Sequence, residues 1–155
     1  MDRFIDLRLL RDPDFTPQQI LGALFAKLHR ALVQRGGDDV GISFPAHNDS
    51  PPSLGDHLRL HGTQDALETL MALGWTRGLG DLLRTGPINV VPAATRHRCV
   101  QRVQAKSSPE RLRRRAMRRH NIDAAEAVAR IPDTAAETLR LPSLRLSSNS
   151  TGQSG

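Results

Sequence analysis

The sequence predicts an α+β protein: a ferredoxin-like β-α-β-β-α-β domain over residues 1–92, a linker at 93–97, and a smaller domain at 98–155 with an arginine-rich helix at 109–120. Three observations lead there. Short stretches of alternating apolar and polar residues flank two longer stretches with apolar residues three and four apart, in the order strand, helix, strand, strand, helix, strand. Pro92-Ala93-Ala94 then interrupts the pattern, and beyond it the charge changes sign. In such an order two helices cover one face of an antiparallel sheet.

Phe4-Ile5-Asp6-Leu7-Arg8-Leu9 alternates and reads as the first strand. Thr16-Pro17 opens a helix through about Gln34, which Gly36-Gly37 ends. Its apolar stripe is Leu21, Leu24, Phe25, Leu28 and Leu32, with His29 at the edge. Val40, Ile42 and Phe44 form a second strand, and the polar loop His47 to Pro52 leads to a third around His57-Leu58-Arg59-Leu60. Thr63 or Gln64 starts a helix carrying Leu67, Leu70, Met71 and Leu73, and Ile88 to Val91 supplies the fourth strand.

After the linker, Arg98 to Val103 reads as a strand. Ser108 is a good N-cap, Pro109 suits the first helical position, and Glu110 favours the positive end of the helix dipole. A helix from Asp123 to about Arg130 follows, then a last helical segment after Pro132. Leu144-Arg145-Leu146 starts a strand that runs into a Ser/Gly-rich ending with no further strand to pair with, so the second domain reads as incomplete.

Residues 1–94 hold nine Lys or Arg against eleven Asp or Glu, a charge of −2. Residues 95–155 hold thirteen against five, a charge of +8, so all the positive excess lies in the C-terminal part. At 3.6 residues per turn, Arg111, Arg114, Arg115, Arg118 and Arg119 share an arc of roughly 140°. Five guanidiniums on one face, with no acidic partners interleaved, repel one another in water and fit best against a phosphate backbone. The excess of Arg over Lys favours bidentate phosphate or guanine contacts over diffuse attraction.

Composition narrows the alternatives. With four Phe, one Trp and no Tyr, a surface of many stacked bases is poorly supported. A single cysteine, Cys99, excludes an internal disulfide, and no His/Cys cluster has metal-ligand spacing, so neither metal nor cofactor is expected. The absence of a signal peptide or long apolar run predicts a soluble cytoplasmic protein without a membrane partner.

Metal-free RNA cleavage needs a base for a ribose 2′-hydroxyl and positive charge around the phosphate. Histidine is the natural base near neutral pH, and His29, held on a helix at the edge of the core, is the most interesting of the six, although a histidine so placed is more often structural. His47, His57, His61 and His97 are expected at the surface without a role. Ser148-Asn149-Ser150-Thr151-Gly152 offers hydroxyls for a phosphate or ribose, or is simply a polar terminus. Arg102 and Gln104 point to the same side of an extended strand and could read adjacent purines.

Several segments carry a family resemblance. They are Arg102-Val103-Gln104-Ala105-Lys106-Ser107, Pro109 to Arg115, Met117-Arg118-Arg119-His120, Arg130-Ile131-Pro132-Asp133-Thr134 and Ser150-Thr151-Gly152-Gln153. Leu24-Phe25, Lys27-Leu28-His29, Gly36-Gly37-Asp38 and Ser43-Phe44-Pro45 add to them. Together they resemble the type I-F CRISPR repeat-processing endoribonucleases, the Csy-type members of the wider repeat-cleaving ribonucleases. The similarity runs in register over nearly the whole chain.

That resemblance implies a ferredoxin-like domain joined to one that presents an arginine-rich helix to a repeat stem-loop. It makes His29 the general base and has Ser148 position the attacking 2′-hydroxyl. Arg102 and Gln104 would read bases near the foot of the stem. Arg114, Arg115, Arg118, Arg119 and His120 would line the phosphate backbone, with Arg115 near the cut, and Ser150 and Thr151 would hold the phosphate. The products would be a 2′,3′-cyclic phosphate and a 5′-hydroxyl, formed without metal. The partners implied are CRISPR repeat RNA, the mature guide RNA and the other subunits of the surveillance complex. A non-catalytic hairpin-binding subunit is the alternative. The A-form major groove is too narrow for side chains except near a loop or stem end, which suits a short hairpin. Family members continue for several dozen residues past the matched Gly-Gln and include an active-site tyrosine there, so the resemblance implies that this chain stops short.

Overall fold

The computed structural model describes residues 1–93, 95, 103, 108–136 and 139–144. The chain divides into two compact units, Met1–Arg96 with Leu141–Gly155, and His97–Arg140. The sequence reading keeps the last segment with the arginine helix, whereas the structure groups it with the first unit, where Leu144 packs against the apolar core.

In the first unit the elements are β1 (Arg3–Leu9), α1 (Pro17–Arg35), β2 (Gly41–Ser43), β3 (Asn48–Asp49), β4 (Pro52–Ser53), β5 (His57–Gly62), α2 (Gln64–Ala72) and β6 (Leu83–Val90). Four strands form a sheet in the order β2-β5-β1-β6, all pairs antiparallel. The two-residue strands β3 and β4 make a separate ribbon inside the stretch expected to be loop. Setting that ribbon aside, the order is the ferredoxin-like one. The α+β expectation holds.

Local chemistry sets the helix ends. Thr16 Oγ1 accepts the Gln19 N–H, the Gln19 side chain accepts the Thr16 N–H, and Pro17 occupies the first turn, so α1 begins in a full capping box. It ends where Gly36, at φ 73°, leaves the helix and donates its N–H to the Leu32 carbonyl. Thr63 Oγ1 caps α2 by accepting the Ala66 N–H. Ile5, Leu7 and Leu9 from β1, with Leu58 and Leu60 from β5, point to one face and meet Leu21, Leu24 and Leu28 of α1 and Leu67 and Leu70 of α2. Each such leucine contributes about 1.5–3 kcal/mol through burial.

The opposite face of the central strands is polar. Asp6 pairs across the sheet with Arg59 and accepts two guanidinium hydrogen bonds, at 2.6 and 3.0 Å. His57 Nε2 lies 2.7 Å from the same carboxylate, and the Arg59 guanidinium covers the Phe4 ring at 4.1 Å. Ser43 Oγ lies 2.7 Å from His61 Nε2. Two expectations need correcting here. His57 is only 4% exposed and His61 is half-buried, because strand alternation with Leu58 and Leu60 carries both onto a face that their partners close. Burial holds the His61 pKa below its ordinary value, with the neighbouring Arg59 charge adding to the effect.

In the second unit α3 (Pro109–His120) and α4 (Ala124–Arg130) pack together, and a single 3₁₀ turn at Asp133–Ala135 stands where the sequence predicts a further helical segment. Val103 and Leu144 lie in irregular chain; the rest of the strands expected at Arg98 to Val103 and from Leu144 falls outside the described residues.

Candidate nucleic-acid interface

The arginine helix forms where the sequence places it. Ser108 Oγ accepts the Arg111 N–H at 3.3 Å, Pro109 sits at the first helical position, and Asn121 ends the helix in the left-handed conformation, at φ 51°. The first turn carries Glu110 and the last carries Arg118, Arg119 and His120, the charge order that the helix dipole favours. Leu112, Arg113 and Ala116 are half-buried on the side facing α4, whose Ala127 is 1% exposed.

Arg111, Arg114, Arg115, Arg118 and Arg119 are all exposed. Helical geometry keeps them on one arc of roughly 140°. Arg111, Arg114, Arg115 and Arg118 alone line an open concavity of about 230 Å³. The expectation that no acid tempers this face is corrected at one point. Glu110, one turn earlier, accepts a hydrogen bond from Arg114 Nη2 at 2.7 Å. Among the described residues, Arg111, Arg115, Arg118 and Arg119 have no carboxylate within ion-pair distance. Four guanidiniums on one helical face, without a carboxylate partner among the described residues, concentrate positive charge there.

His120 differs from the five. Nine residues after Arg111 it lies about 180° away around the helix, exposed at the last position. The structure does not bring it onto the arginine arc.

His29 lies on α1 in the first unit, exposed, just outside the buried stripe of Leu21, Leu24 and Leu28. One turn before it, Phe25 stacks on Phe44, with centroids 6.5 Å apart and planes at 26°. The imidazole therefore stands on a rigid, well-packed helix with its ring open to solvent. Arg102, Gln104, Ser148, Ser150 and Thr151 lie outside the described residues. Sequence reasoning gave Asp6 and Arg59 no role; their signal was the register of two strands, which no local pattern encodes.

Among the described residues no group of three or more His, Cys, Asp or Glu is placed to hold a metal ion, and no helix is long and apolar enough to cross a membrane.

Comparison with known proteins points to one family. The family model for a CRISPR-associated protein, Cas_Csy4, matches residues 4–154. A CRISPR-associated endonuclease Cas6/Csy4 from Pseudomonas aeruginosa (strain UCBPP-PA14) is 53% identical over 153 residues, covering 99% of this chain and 82% of that relative. One of the same description from Escherichia coli (strain UTI89 / UPEC) is 41% identical with the same coverage. A match over almost every residue, with the arginine arc and the helix bearing His29 both formed, leads to one conclusion: the chain belongs to the Csy4 family of CRISPR-associated proteins.

Proposed function

We propose that this chain is an endoribonuclease that cleaves CRISPR repeat RNA at the base of a stem-loop, without metal, and keeps hold of the hairpin it produces. The observation that carries the reading is the exposed arc of Arg111, Arg114, Arg115, Arg118 and Arg119 on a member of a family whose relatives are named endonucleases. The arc grips phosphates on both sides of the groove near the stem end, with Arg115 nearest the cut. Arg102 and Gln104 read bases at the foot of the stem, and Ser150 and Thr151 hold the neighbouring phosphate.

His29, as the neutral imidazole, takes the proton from the 2′-hydroxyl upstream of the cut, and Ser148 orients that hydroxyl. The 2′-oxygen forms a bond to phosphorus while the bond to the 5′-oxygen breaks. The departing oxygen gains a proton and leaves as a 5′-hydroxyl, and the other product ends in a 2′,3′-cyclic phosphate. Guanidinium charge offsets what develops on the phosphorane. The retained hairpin then ties the protein to its guide RNA and to the other subunits of the surveillance complex, in the cytoplasm.

A labelled repeat hairpin incubated with the protein in EDTA tests this directly. The expected result is a cyclic-phosphate product, abolished by His29→Ala and by a 2′-deoxy nucleotide upstream of the cut, while hairpin affinity stays nearly unchanged. Equal cleavage by the His29 variant would remove His29 as the base. Tight binding with no product under any condition would leave a hairpin-holding subunit.

A further inference from the structure

Six arginines lie between Arg111 and Arg119, and five of them share the exposed arc. The sixth, Arg113, lies about 190° from the centre of that arc at 100° per residue. Its guanidinium turns back into its own unit. Nε–H donates to the Ile131 carbonyl at 2.8 Å, and Nη2 donates to Asp133 Oδ1 at 2.7 Å. Ile131 is the C-cap of α4, where carbonyls lack helical partners and the dipole favours a cation. The Arg113 side chain is 18% exposed, so it is largely withdrawn from any ligand that the arc would meet.

The apolar packing behind α3 is thin. The helix has no fully buried residue, and Pro109, Leu112 and Ala116 are its half-buried apolar residues. So small a contact leaves rotation about the helix axis weakly opposed. A roll of 30° would move side chains at the roughly 6 Å helix radius by about 3 Å, as much as a hydrogen bond's length. We propose that Arg113 is a positioning residue: its two-point clamp on the end of α4 sets the rotation at which the five-arginine arc meets RNA, and so governs hairpin discrimination without touching the RNA. The fork needs arginine, because lysine offers a single point charge on a flexible stem. This inference rests on the reading of the chain as a hairpin binder.

The test compares wild type, Arg113→Lys and Asp133→Asn for affinity to the repeat hairpin and to a blunt duplex with the same number of phosphates. Arg113→Lys keeps the charge, so a phosphate contact would survive it. A broken clamp instead weakens hairpin binding by about ten-fold, the loss expected for charge-assisted hydrogen bonds, with duplex binding changed far less. Asp133→Asn separates the readings by sign. Removing a negative charge should tighten RNA binding through the field alone, whereas loss of the clamp weakens it for the hairpin. Asp133 is 90% exposed, so that variant is expected to fold. Wild-type hairpin affinity in Arg113→Lys, or tighter binding of both RNAs by Asp133→Asn, would overturn the proposal. If wild type binds no hairpin, the functional reading fails instead, and the clamp is still judged without RNA by exchange of the Arg113 Nε–H. Slow exchange in wild type that Asp133→Asn accelerates supports the clamp, and fast exchange in wild type refutes it.

Discussion

The two units hold their shapes by different means. The first buries three β1 residues and a row of leucines from two helices behind a four-stranded sheet, and it places charge on the rim and on the face opposite the helices. Among the described residues of the second, Ala127 alone is buried, and caps, ion pairs and one inward arginine hold its helices. The second unit commits its longest helix to guanidiniums, which cannot also form a core. In the proposed function, bound phosphate supplies what such a unit lacks in burial. The first unit rests on a buried apolar core, and among the described residues the second has almost none.

The contrast breaks most visibly at a core leucine. Leu67→Ala, at a site with no solvent exposure, should cost the first unit about 2–5 kcal/mol in denaturant unfolding. Binding of hairpin RNA by the remaining folded protein should be unchanged. A loss under about 1 kcal/mol would show that the leucine layer is not what supports the sheet.

Next in size is the polar face of that sheet. The Arg59 guanidinium hydrogen bonds hold the Asp6 carboxyl below the usual carboxylate range, against the opposing effect of burial and with help from His57. A carboxyl with a depressed folded pKa adds stability above its unfolded pKa, near 3.9, and loses it as pH falls through the folded value. Stability should therefore decline in acid below about pH 4. Asp6→Asn should cost about 1.5–3 kcal/mol at neutral pH and flatten that acid decline. An unchanged acid limb in the variant would mean that the pair is not coupled to folding.

These two sites also mark what the sequence makes legible. Helix starts at Thr16, Ser108 and Asp123 could be read directly, and the one at Thr63 to within a residue, because an N-cap is a local signature written in one or two residues. The buried faces followed from periodicity. The β3–β4 ribbon did not, since two-residue strands carry no period, and β6 begins at Leu83, five residues before the expected strand, because Gly86 and Pro87 interrupt its run of strand-forming residues. Asp6, His57 and Arg59 meet only through strand register, a long-range fact. The arginine arc was legible because it obeys helical geometry; the inward turn of Arg113 needed the position of Ile131 and Asp133.

A smaller effect separates the units by ligand. Ser108→Ala removes the N-cap of α3 and should cost about 1 kcal/mol of helix stability. Hairpin RNA at about 100 times its Kd should add about 2.7 kcal/mol to the folded state and more than offset that loss. Hydrogen exchange at α3 amides, with and without RNA, reads both numbers. Protection of α3 that does not respond to RNA would contradict the picture of a unit waiting for phosphate.

The smallest effect has the most informative sign. Glu110 ties up Arg114 in an exposed i,i+4 pair, which is worth only about 0.3–0.5 kcal/mol. It also sits in the first turn, where an acid favours the dipole. If α3 were a structural helix, Glu110→Gln would be a slight net loss by every measure. For a phosphate-binding helix the two readouts split. Thermal stability should fall by a few tenths of a kcal/mol, while hairpin affinity rises about two-fold as a repelling carboxylate leaves and Arg114 is released. Raising the salt should erase that gain, because added ions screen the removed repulsion between exposed charges. An affinity that fell along with stability would mean that the arginine arc is not the surface that meets phosphate.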